Sequence, residues 1–251
     1  MSPDWILPEW PAPAGVRALA STRAGGVSQG AFAGLNLAAH VGDDPRHVAV
    51  NRLLLSRMLP AEPLWLRQVH GTRVLAALHG IDPAGPGAEG PEAEADACVA
   101  HRPGRVCAVL TADCLPVLFC DDAGSVVGAA HAGWRGLAAG VLENTVAAMG
   151  VLPDRLMAWL GPAIGQPAFE VGSEVREAFT SRDPRAAGAF LARDGGKWSC
   201  DLAALARQRL EAAGVTRAFG GGLCTFSAPR RFYSYRRDGA TGRMAALIWL
   251  E

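Results

Sequence analysis

Residues 106–136 restrict the fold of this chain more than any other segment. They read VCAVLTADCLPVLFCDDAGSVVGAAHAGWRG and contain short apolar or β-branched runs bounded by Asp, Gly or Pro, at 106–110, 116–119 and 125–130. Such runs predict buried β-strands, and the Asp-Asp-Ala-Gly sequence at 121–124 predicts a turn between two of them. Two residues that bind soft metals, Cys114 and His131, therefore fall at predicted strand ends.

Helices are predicted on both sides of this segment. Residues 137–150, LAAGVLENTVAAMG, place apolar side chains at helical spacing, and Gly150 is a typical residue after a helix C-terminus. Another helix is predicted to begin at Asp44-Pro45, because Asp is a good N-cap and Pro is favoured in the first turn. It should run to about residue 58 with inward-facing apolar side chains, namely Val48, Leu54, Leu55 and Met58.

The remaining pattern mixes strands and helices. Strands are predicted at 16–22, 63–78, 154–160, 216–227 and 231–250; the second consists of two pieces joined at His70-Gly71, and the last is a hairpin turning at Asp238-Gly239. Further helices are predicted at 172–181 and 201–214, the latter between an N-cap Asp201 and Gly214. Because there is no strict βαβ alternation, we expect an α+β (mixed α/β) fold, a single domain over residues 1–251 with mixed β-sheets flanked by helices.

Composition excludes several classes of protein. Half of the 251 residues are hydrophobic, enough for one sizeable core, and the net charge is zero, which argues against binding to nucleic acid or to an anionic membrane. The N-terminus lacks the features of a signal peptide, and no apolar run approaches about 18 residues, so we expect a cytoplasmic protein. Without C-x-x-C spacing, most cysteines should be small buried hydrophobic residues, namely Cys98, Cys107, Cys120, Cys200 and Cys224.

Two segments lack regular periodicity. Residues 21–45 are Gly-rich, and loops of this length are usually functional. Within them Ser28 matches the G-x-S-x-G nucleophile elbow, but the helix that this motif requires does not follow. The alternatives are a simple turn or a loop whose backbone N–H groups and Arg23 hold an anion, which makes Arg23 and Ser28 candidate substrate-binding residues. Residues 80–94 are rich in Gly, Pro and Glu and predict a mobile segment open to proteolysis.

His70, Cys114 and His131 form a candidate metal site. Catalytic zinc takes three protein ligands of His, Cys or carboxylate type and keeps one position open, and strand ends can bring distant residues together for this purpose. Taken singly, a buried Cys or a hydrogen-bonded His is the commoner case. The other histidines lie in polar or loop contexts and should be solvated, namely His40, His47, His79 and His101.

Several segments resemble a known family in sequence and in order. Between residues 21 and 243 these are STRAGGVSQG, LNLAAHVGDD, QVHG, TADCLPVLF, HAGWRG, LGPAIG and RFYSYRRDGATGR. They are similar to the laccase-domain (YfiH-like, polyphenol oxidase-like) family. The resemblance implies a mixed α/β fold, a zinc site formed by His70, Cys114 and His131, and phosphorolysis of purine nucleosides.

The function that follows is a zinc-dependent purine nucleoside phosphorylase. The resemblance implies action on adenosine, inosine and S-methyl-5′-thioadenosine, with deamination of adenosine as a second activity. We therefore expect purine nucleosides and phosphate as ligands, and a monomer or homodimer. Asp113 and Arg135 flank the ligands and are candidates for contacts to them, although Asp113 is equally consistent with a turn.

Other functions are weaker. Multicopper oxidases resemble one another in repeated H-x-H pairs, which this chain lacks, although copper could bind adventitiously to a Cys/His site. The H-x-E and P-C-x-x-C signature of cytidine-type zinc deaminases is also missing. One alternative is a cysteine-dependent amidase that edits peptidoglycan precursors, with Cys114 as nucleophile and His70 or His131 as its base. Another is a binding module in which the three residues are structural.

Overall fold

The computed structural model describes residues 4–76 and 93–251. The helices in this part are α1 (Pro45–Ser56), α2 (Trp134–Ala139), α3 (Val141–Ala148), α4 (Ser173–Thr180), α5 (Leu202–Ala212) and α6 (Tyr235–Asp238). The strands are β1 (Val16–Ala20), β2 (Leu66–Arg67), β3 (Val74–Ala76), β4 (Ala93–Glu94), β5 (Ala97–Ala100), β6 (Cys107–Thr111), β7 (Leu115–Asp121), β8 (Val127–Ala132), β9 (Leu156–Leu160), β10 (Glu170–Val171), β11 (Phe190–Ala192), β12 (Trp198–Cys200), β13 (Arg217–Gly220) and β14 (Met244–Leu250). Short 3₁₀ turns lie at Gly30–Phe32, Ala39–Val41, Pro153–Arg155, Gln166–Ala168, Pro184–Ala189 and Asp194–Gly196.

A mixed sheet with strand order β13-β9-β7-β8-β5-β3 forms the centre of the fold. Its inner pairs are antiparallel, whereas β13 with β9 and β3 with β5 are parallel. A second sheet, of order β1-β14-β6, is antiparallel throughout. Smaller sheets are formed by β10-β12-β11 and by β2-β4. Mixed sheets with flanking helices confirm the predicted α+β (mixed α/β) fold class.

Both faces of the central sheet are covered, which explains why its strands are continuously apolar. Val117 and Phe119 of β7 pack with side chains of α2, α3 and α5, whereas Leu118 and Cys120 pack with the second sheet. Successive side chains of a strand point to opposite faces, so a strand buried on both faces needs apolar residues at every position. The three strands predicted within residues 106–136 are therefore confirmed as β6, β7 and β8.

Helix α1 begins as predicted but faces the core differently. The Asp44 carboxylate accepts a hydrogen bond from the Arg46 backbone N–H at 2.8 Å, and Val48 and Leu55 are buried. The inward orientation of Leu54 and Met58 was wrong, because they are 36% and 58% exposed. Asn51 occupies the turn between Val48 and Leu55 on the buried face, which rotates Leu54 to the flank, and the helix ends at Ser56, before Met58.

The segment 231–250 is not a hairpin. Only its last 7 residues form a strand, β14, which pairs with β1 and β6, so the predicted turn at Asp238-Gly239 was wrong. Ser234 instead caps α6 by accepting a hydrogen bond from the Arg237 backbone N–H at 3.2 Å. The helix predicted over 137–150 is interrupted by Gly140, whose φ of +110° separates α2 from α3. Gly150 and the caps of α5 agree with the prediction.

Several predictions concern exposure. All six cysteines are free thiols, and the five outside the candidate metal site are buried except Cys224, which is half-buried because it borders a cavity. Most of the predicted mobile segment 80–94, and His79, lie outside the described residues; its last two residues form β4. Neither described part of the chain contains a helix with the length and apolar character needed to cross a membrane.

Candidate metal centre

His70, Cys114 and His131 come together at one end of the central sheet. His70 lies in the turn between β2 and β3, Cys114 directly precedes β7, and His131 lies in β8 opposite Pro116. Their ligand atoms are all within 4.8 Å of one another, and Cys114 Sγ is 3.7 Å from His70 Nε2. His131 is buried, Cys114 half-buried and His70 exposed, so the site opens to solvent on the His70 side. Within residues 4–76 and 93–251 no other group of three His, Cys, Asp or Glu residues is arranged to hold a metal ion.

Asp96 organises two of the three ligands. Its carboxylate is fully buried and accepts hydrogen bonds from the backbone N–H groups of Val69, His70 and Gly71 at 3.2, 2.9 and 2.7 Å. It also lies 2.8 Å from His131 Nδ1. A carboxylate only accepts hydrogen bonds, so Nδ1 of His131 carries the proton and Nε2 is left for a metal. Asp96 thus shapes the turn that presents His70 and fixes the tautomer of His131.

The turn before Cys114 has an uncommon backbone. Asp113 has a φ of +93°, in the region that non-glycine residues rarely adopt. Its Oδ1 accepts from the Thr225 hydroxyl at 2.6 Å, its Oδ2 from the Arg236 backbone N–H at 2.7 Å, and its carbonyl from the Ile164 N–H at 2.9 Å. These contacts from separate loops hold the strained turn and thereby direct Cys114 toward the histidines. Asp113 is both a turn residue and a support for the site.

The electrostatic balance favours a thiolate. Burial raises the pKa of the Cys114 thiol, but the charge of His131 and hydrogen bonds from His131 and His70 outweigh it and bring the pKa to about 6. Burial lowers the pKa of His131, whereas the charge of Cys114 and the hydrogen bond to Asp96 raise it to about 9. The metal-free site is therefore a thiolate–imidazolium pair near neutral pH.

The donor set fits a metal ion of the tetrahedral, soft-ligand class. Bond lengths of about 2.0–2.3 Å in a tetrahedron place ligand atoms roughly 3.5 Å apart, close to the 3.7 Å between Cys114 Sγ and His70 Nε2. Two imidazoles and one thiolate are typical ligands of such ions, and three protein ligands leave one position open. The carboxylate–histidine contact of Asp96 with His131 is also typical of metal-binding histidines.

Gly133, the N-cap of α2, leaves no room for a side chain. A Cβ at this position would lie 2.8 Å from His70 Cδ2 and 3.0 Å from Cys114 Sγ. We expect Gly133→Ala to push both ligands apart and to weaken metal affinity about 10- to 100-fold, as happens when ligand support is lost. Gly188→Ala is the matched control, because nothing lies within 4 Å of its Cβ position. Metal affinity measured by competition with a chelating dye checks this, and equal affinities in the two variants would contradict it.

The candidate substrate-binding residues lie in a separate network. The Arg23 guanidinium donates to the carbonyls of Pro229 and Ala33 at 3.1 and 3.2 Å and stacks 4.7 Å from the Tyr233 ring centroid. Ser28 is buried and is followed directly by the short 3₁₀ turn Gly30–Phe32 and not by an α-helix, so the nucleophile-elbow geometry is missing. In the described structure, no hydrogen bond or ion pair joins Arg23 or Ser28 to His70, Cys114 or His131.

Removing the Ser28 hydroxyl should affect stability more than chemistry. Its Oγ donates to Asp43 Oδ2 at 2.6 Å and accepts from Asn51 Nδ2 at 2.9 Å. We expect Ser28→Ala to lower the free energy of unfolding by about 1–2 kcal/mol and to leave kcat within a factor of about two. Urea unfolding and steady-state kinetics test this beside the exposed control Ser181→Ala. A raised substrate KM at unchanged stability would instead support substrate binding, and lost turnover with metal retained would support a serine nucleophile.

Sequence reasoning missed two residues near the site. Asp96 lies in the acidic run EAEADA at the end of the segment predicted to be mobile, and only the strand directly after it, β5, sets it apart. Arg243 closes the RRDGATGR segment, and its charge interacts with Cys114 and Asp113. The remaining histidines agree with expectation in part: His40 and His101 are exposed, while His47 is half-buried, 3.9 Å from Asp43.

The chain is similar to known proteins over almost its whole length. The family model described as multi-copper polyphenol oxidoreductase laccase matches residues 17–251. The chain is 54% identical to purine nucleoside phosphorylases named from Pseudomonas aeruginosa, over 248 residues, and from Escherichia coli (YfiH), over 247 residues, with 98% of each chain covered. A Neisseria meningitidis crystal structure superposes with a TM-score of 0.91 at 51% identity, covering 99% of both chains. YlmD from Geobacillus stearothermophilus gives a TM-score of 0.91 at 30% identity, covering 100% of this chain and 97% of the other. The chain therefore belongs to the laccase-domain (YfiH-like) family.

Proposed function

We propose that residues 1–251 form a single cytoplasmic catalytic domain, a zinc-dependent purine nucleoside phosphorylase. The observation that carries the proposal is the convergence of His70, Cys114 and His131 within 4.8 Å, with His131 oriented by Asp96. Relatives at 54% identity that bear the name purine nucleoside phosphorylase support the reaction class. The proposed substrates are adenosine, inosine and S-methyl-5′-thioadenosine with phosphate, and adenosine deamination is a second activity.

In this proposal the three ligands hold Zn²⁺, and copper binds only adventitiously. The ion supplies a Lewis acid that polarises an oxygen atom of a reactant. The Asp96 carboxylate holds the proton of His131 at Nδ1, so Nε2 is the nitrogen that would bind the ion, and the pKa of Cys114, about 6, makes its thiolate available at neutral pH. His70 lies at the exposed side of the site, where reactants enter.

A cavity lined in part by Arg236, whose backbone bonds to Asp113, is the proposed nucleoside site. Its volume is about 670 Å³, within the range of small-molecule pockets, and its walls include Cys224, Phe226 and Arg236. The Arg236 backbone N–H donates to Asp113, so the cavity borders the turn that carries Cys114. Arg23 and Ser28 stay proposed substrate-binding residues, acting through the loop that they stabilise.

The cysteine-dependent amidase is the second candidate, because one observation favours it. A thiol with a pKa of about 6 that lies 3.7 Å from a histidine nitrogen is also the arrangement of a cysteine nucleophile and its base. That enzyme would hydrolyse an amide of a peptidoglycan precursor and would need no metal.

Metal content and product analysis on protein purified without a histidine tag test the proposal. We expect about one zinc per chain and conversion of inosine to hypoxanthine and ribose 1-phosphate only when phosphate is present. Ammonia release from adenosine in phosphate-free buffer tests the deaminase activity separately. Metal-free protein that hydrolyses amides would replace the proposal by the amidase, and protein without turnover on either substrate class would favour a binding module.

A further inference from the structure

Arg243 borders the turn that carries Cys114. In the antiparallel pair of β14 and β6, Met244 lies opposite Thr111. One step further along both chains, Arg243 reaches the level of Ala112, and Asp113 and Cys114 follow directly. The register of the second sheet therefore places the backbone of Arg243 beside the turn that carries Cys114, and the charges of Cys114 and Asp113 act on its guanidinium.

The structure holds the guanidinium of Arg243 in place by one of its nitrogens. Nη1 donates to the carbonyls of Thr241 and Gly242 at 2.8 and 3.0 Å, and the backbone N–H donates to Asn36 Oδ1 at 2.9 Å. The Tyr235 ring centroid lies 5.9 Å from Cζ. Among the described residues, Nε and Nη2 of Arg243 have no hydrogen-bond partner, so a pair of donors in fork geometry is available.

Arg243 also carries an unbalanced charge. It is half-buried and forms no ion pair with any residue that the structure describes. Burial lowers its pKa, and the charges of Cys114 and Asp113 raise it, but the Asp113 oxygens are already bonded to Thr225 and to the Arg236 backbone. A partly buried cation without a close counter-ion is costly, and an anionic ligand would remove that cost.

A second polar group lies in the same segment. The hydroxyl of Thr241 is buried and has no hydrogen-bond partner in the described part of the chain. Buried hydroxyl groups nearly always have a partner, so this one also indicates a missing ligand. Thr241 is the residue whose carbonyl holds Arg243.

Two other arginines near the site, Arg23 and Arg236, already donate to backbone carbonyls. Both terminal nitrogens of Arg23 donate to backbone carbonyls. Arg236 is exposed, donates to the Glu170 carbonyl at 2.8 Å and lies 5.3 Å from the Phe169 ring centroid. Arg135 is exposed, with its Cζ 4.4 Å from the Trp134 ring centroid, whereas Arg243 is half-buried and interacts with the charge of Cys114, which places Arg243 to meet an anion there.

We propose that Arg243, with the Thr241 hydroxyl, binds the inorganic phosphate that attacks the nucleoside, an inference that rests on the proposed phosphorolysis. In that step a phosphate oxygen forms a bond to ribose C1′, and the C1′–N bond breaks with its electron pair passing to the purine. The proton of hydrogen phosphate balances the proton that the free base gains. Arg243 neutralises the phosphate and orients its attacking oxygen.

Kinetics with phosphate as the varied substrate test this role. We expect Arg243→Met to raise the KM for phosphate about 10- to 100-fold, the cost of losing charge-assisted hydrogen bonds, with the KM for inosine within about twofold. Arg243→Lys keeps the positive charge but loses the paired N–H donors of the guanidinium. Its KM for phosphate should lie between those of the wild-type protein and Arg243→Met. Arg155→Met is the control, because Arg155 is a surface residue paired with Asp122. Metal content and melting temperature report whether each variant is folded.

Two results would overturn the proposal. The first is an unchanged KM for phosphate in Arg243→Met. The second is a raised KM in Arg236→Met alone, which would place phosphate in the cavity instead. If the wild-type protein shows no phosphorolysis, direct phosphate binding measured by calorimetry tests the anion site separately from the proposed reaction. Binding that is lost only in the Arg243 variants keeps the anion site while the proposed reaction fails, and binding that is equal in all variants refutes the anion site.

Discussion

Asp96→Ala is expected to abolish metal-dependent turnover and to weaken metal affinity about 10- to 100-fold. The carboxylate bonds to His131 and to the backbone of the His70 turn, so its loss releases two ligands at once. The same change should lower the free energy of unfolding by about 3–5 kcal/mol, because a fully buried group loses its charged partner. Metal affinity, urea unfolding and inosine phosphorolysis on the same samples measure the three effects.

Asp121→Ala separates the role of Asp96 at the site from the general cost of losing a buried carboxylate. Asp121 is equally buried and accepts hydrogen bonds from the Ser125 N–H and hydroxyl, both at 2.7 Å, in the turn between β7 and β8. We expect this variant to lose stability but to retain metal affinity. Asp96→Asn, which keeps the size of the side chain, covers the case in which Asp96→Ala does not fold. Equal metal loss in the Asp121 and Asp96 variants would show that Asp96 acts only on stability.

The three candidate ligands could be found from sequence because their chemistry is distinctive. His and Cys at strand ends are few, and the strands themselves were identified from short, wholly apolar runs. Asp96 could not be found in the same way. Its neighbours Glu92 and Glu94 are also acidic, and nothing in the local sequence shows which of these side chains the fold buries. Only the meeting of β5 with β8 decides that Asp96 faces His131.

The incorrect predictions, the hairpin at 231–250 and the inward orientation of Leu54, also depend on contacts between residues remote in sequence. The aromatic residues of RFYSYRR favour a strand, but a contact remote in sequence decides its conformation. Tyr233 is fully buried and donates its hydroxyl to the Phe32 carbonyl at 2.9 Å, and α6 then presents the Arg236 N–H to Asp113. In α1, a polar residue, Asn51, takes a buried position because it bonds to Ser28 and to the Asn36 carbonyl, both at 2.9 Å. Periodicity assigns such positions to apolar residues, so it places Leu54 in the core.

Removal of the metal is expected to stop phosphorolysis and to accelerate alkylation of Cys114 together. A zinc ion held by Cys114 would engage the thiolate, so iodoacetamide should react slowly until a chelator removes the ion. In the metal-free site the pKa of Cys114 is about 6, so the thiolate predominates at pH 7 and labelling should be near its maximal rate. Mass spectrometry of the labelled peptide, read beside inosine phosphorolysis, measures both effects.

Cys224 provides an internal reference in the same samples. It is half-buried, and although burial raises its pKa, hydrogen bonds from Ser227 and Gly165 lower it overall. Cys224 is not a candidate ligand, so its labelling rate should not respond to the chelator. Burial raises the pKa of Cys120 and of Cys200 to about 12, so both should stay unlabelled in the folded protein.

His70→Ala and His131→Ala distinguish a metal ligand from a catalytic base. If both histidines hold the ion, each variant should label Cys114 faster than wild-type protein without chelator, because an incomplete ligand set releases the metal, although His131→Ala should stay slower than chelated wild type because the thiol pKa rises. If Cys114 is instead the nucleophile of an amidase, its thiolate is stabilised by the imidazolium of His131, and His131→Ala should slow labelling because the thiol pKa rises. The sign of the change in His131→Ala therefore decides between the two functions, and full activity of chelated wild-type protein would favour the amidase.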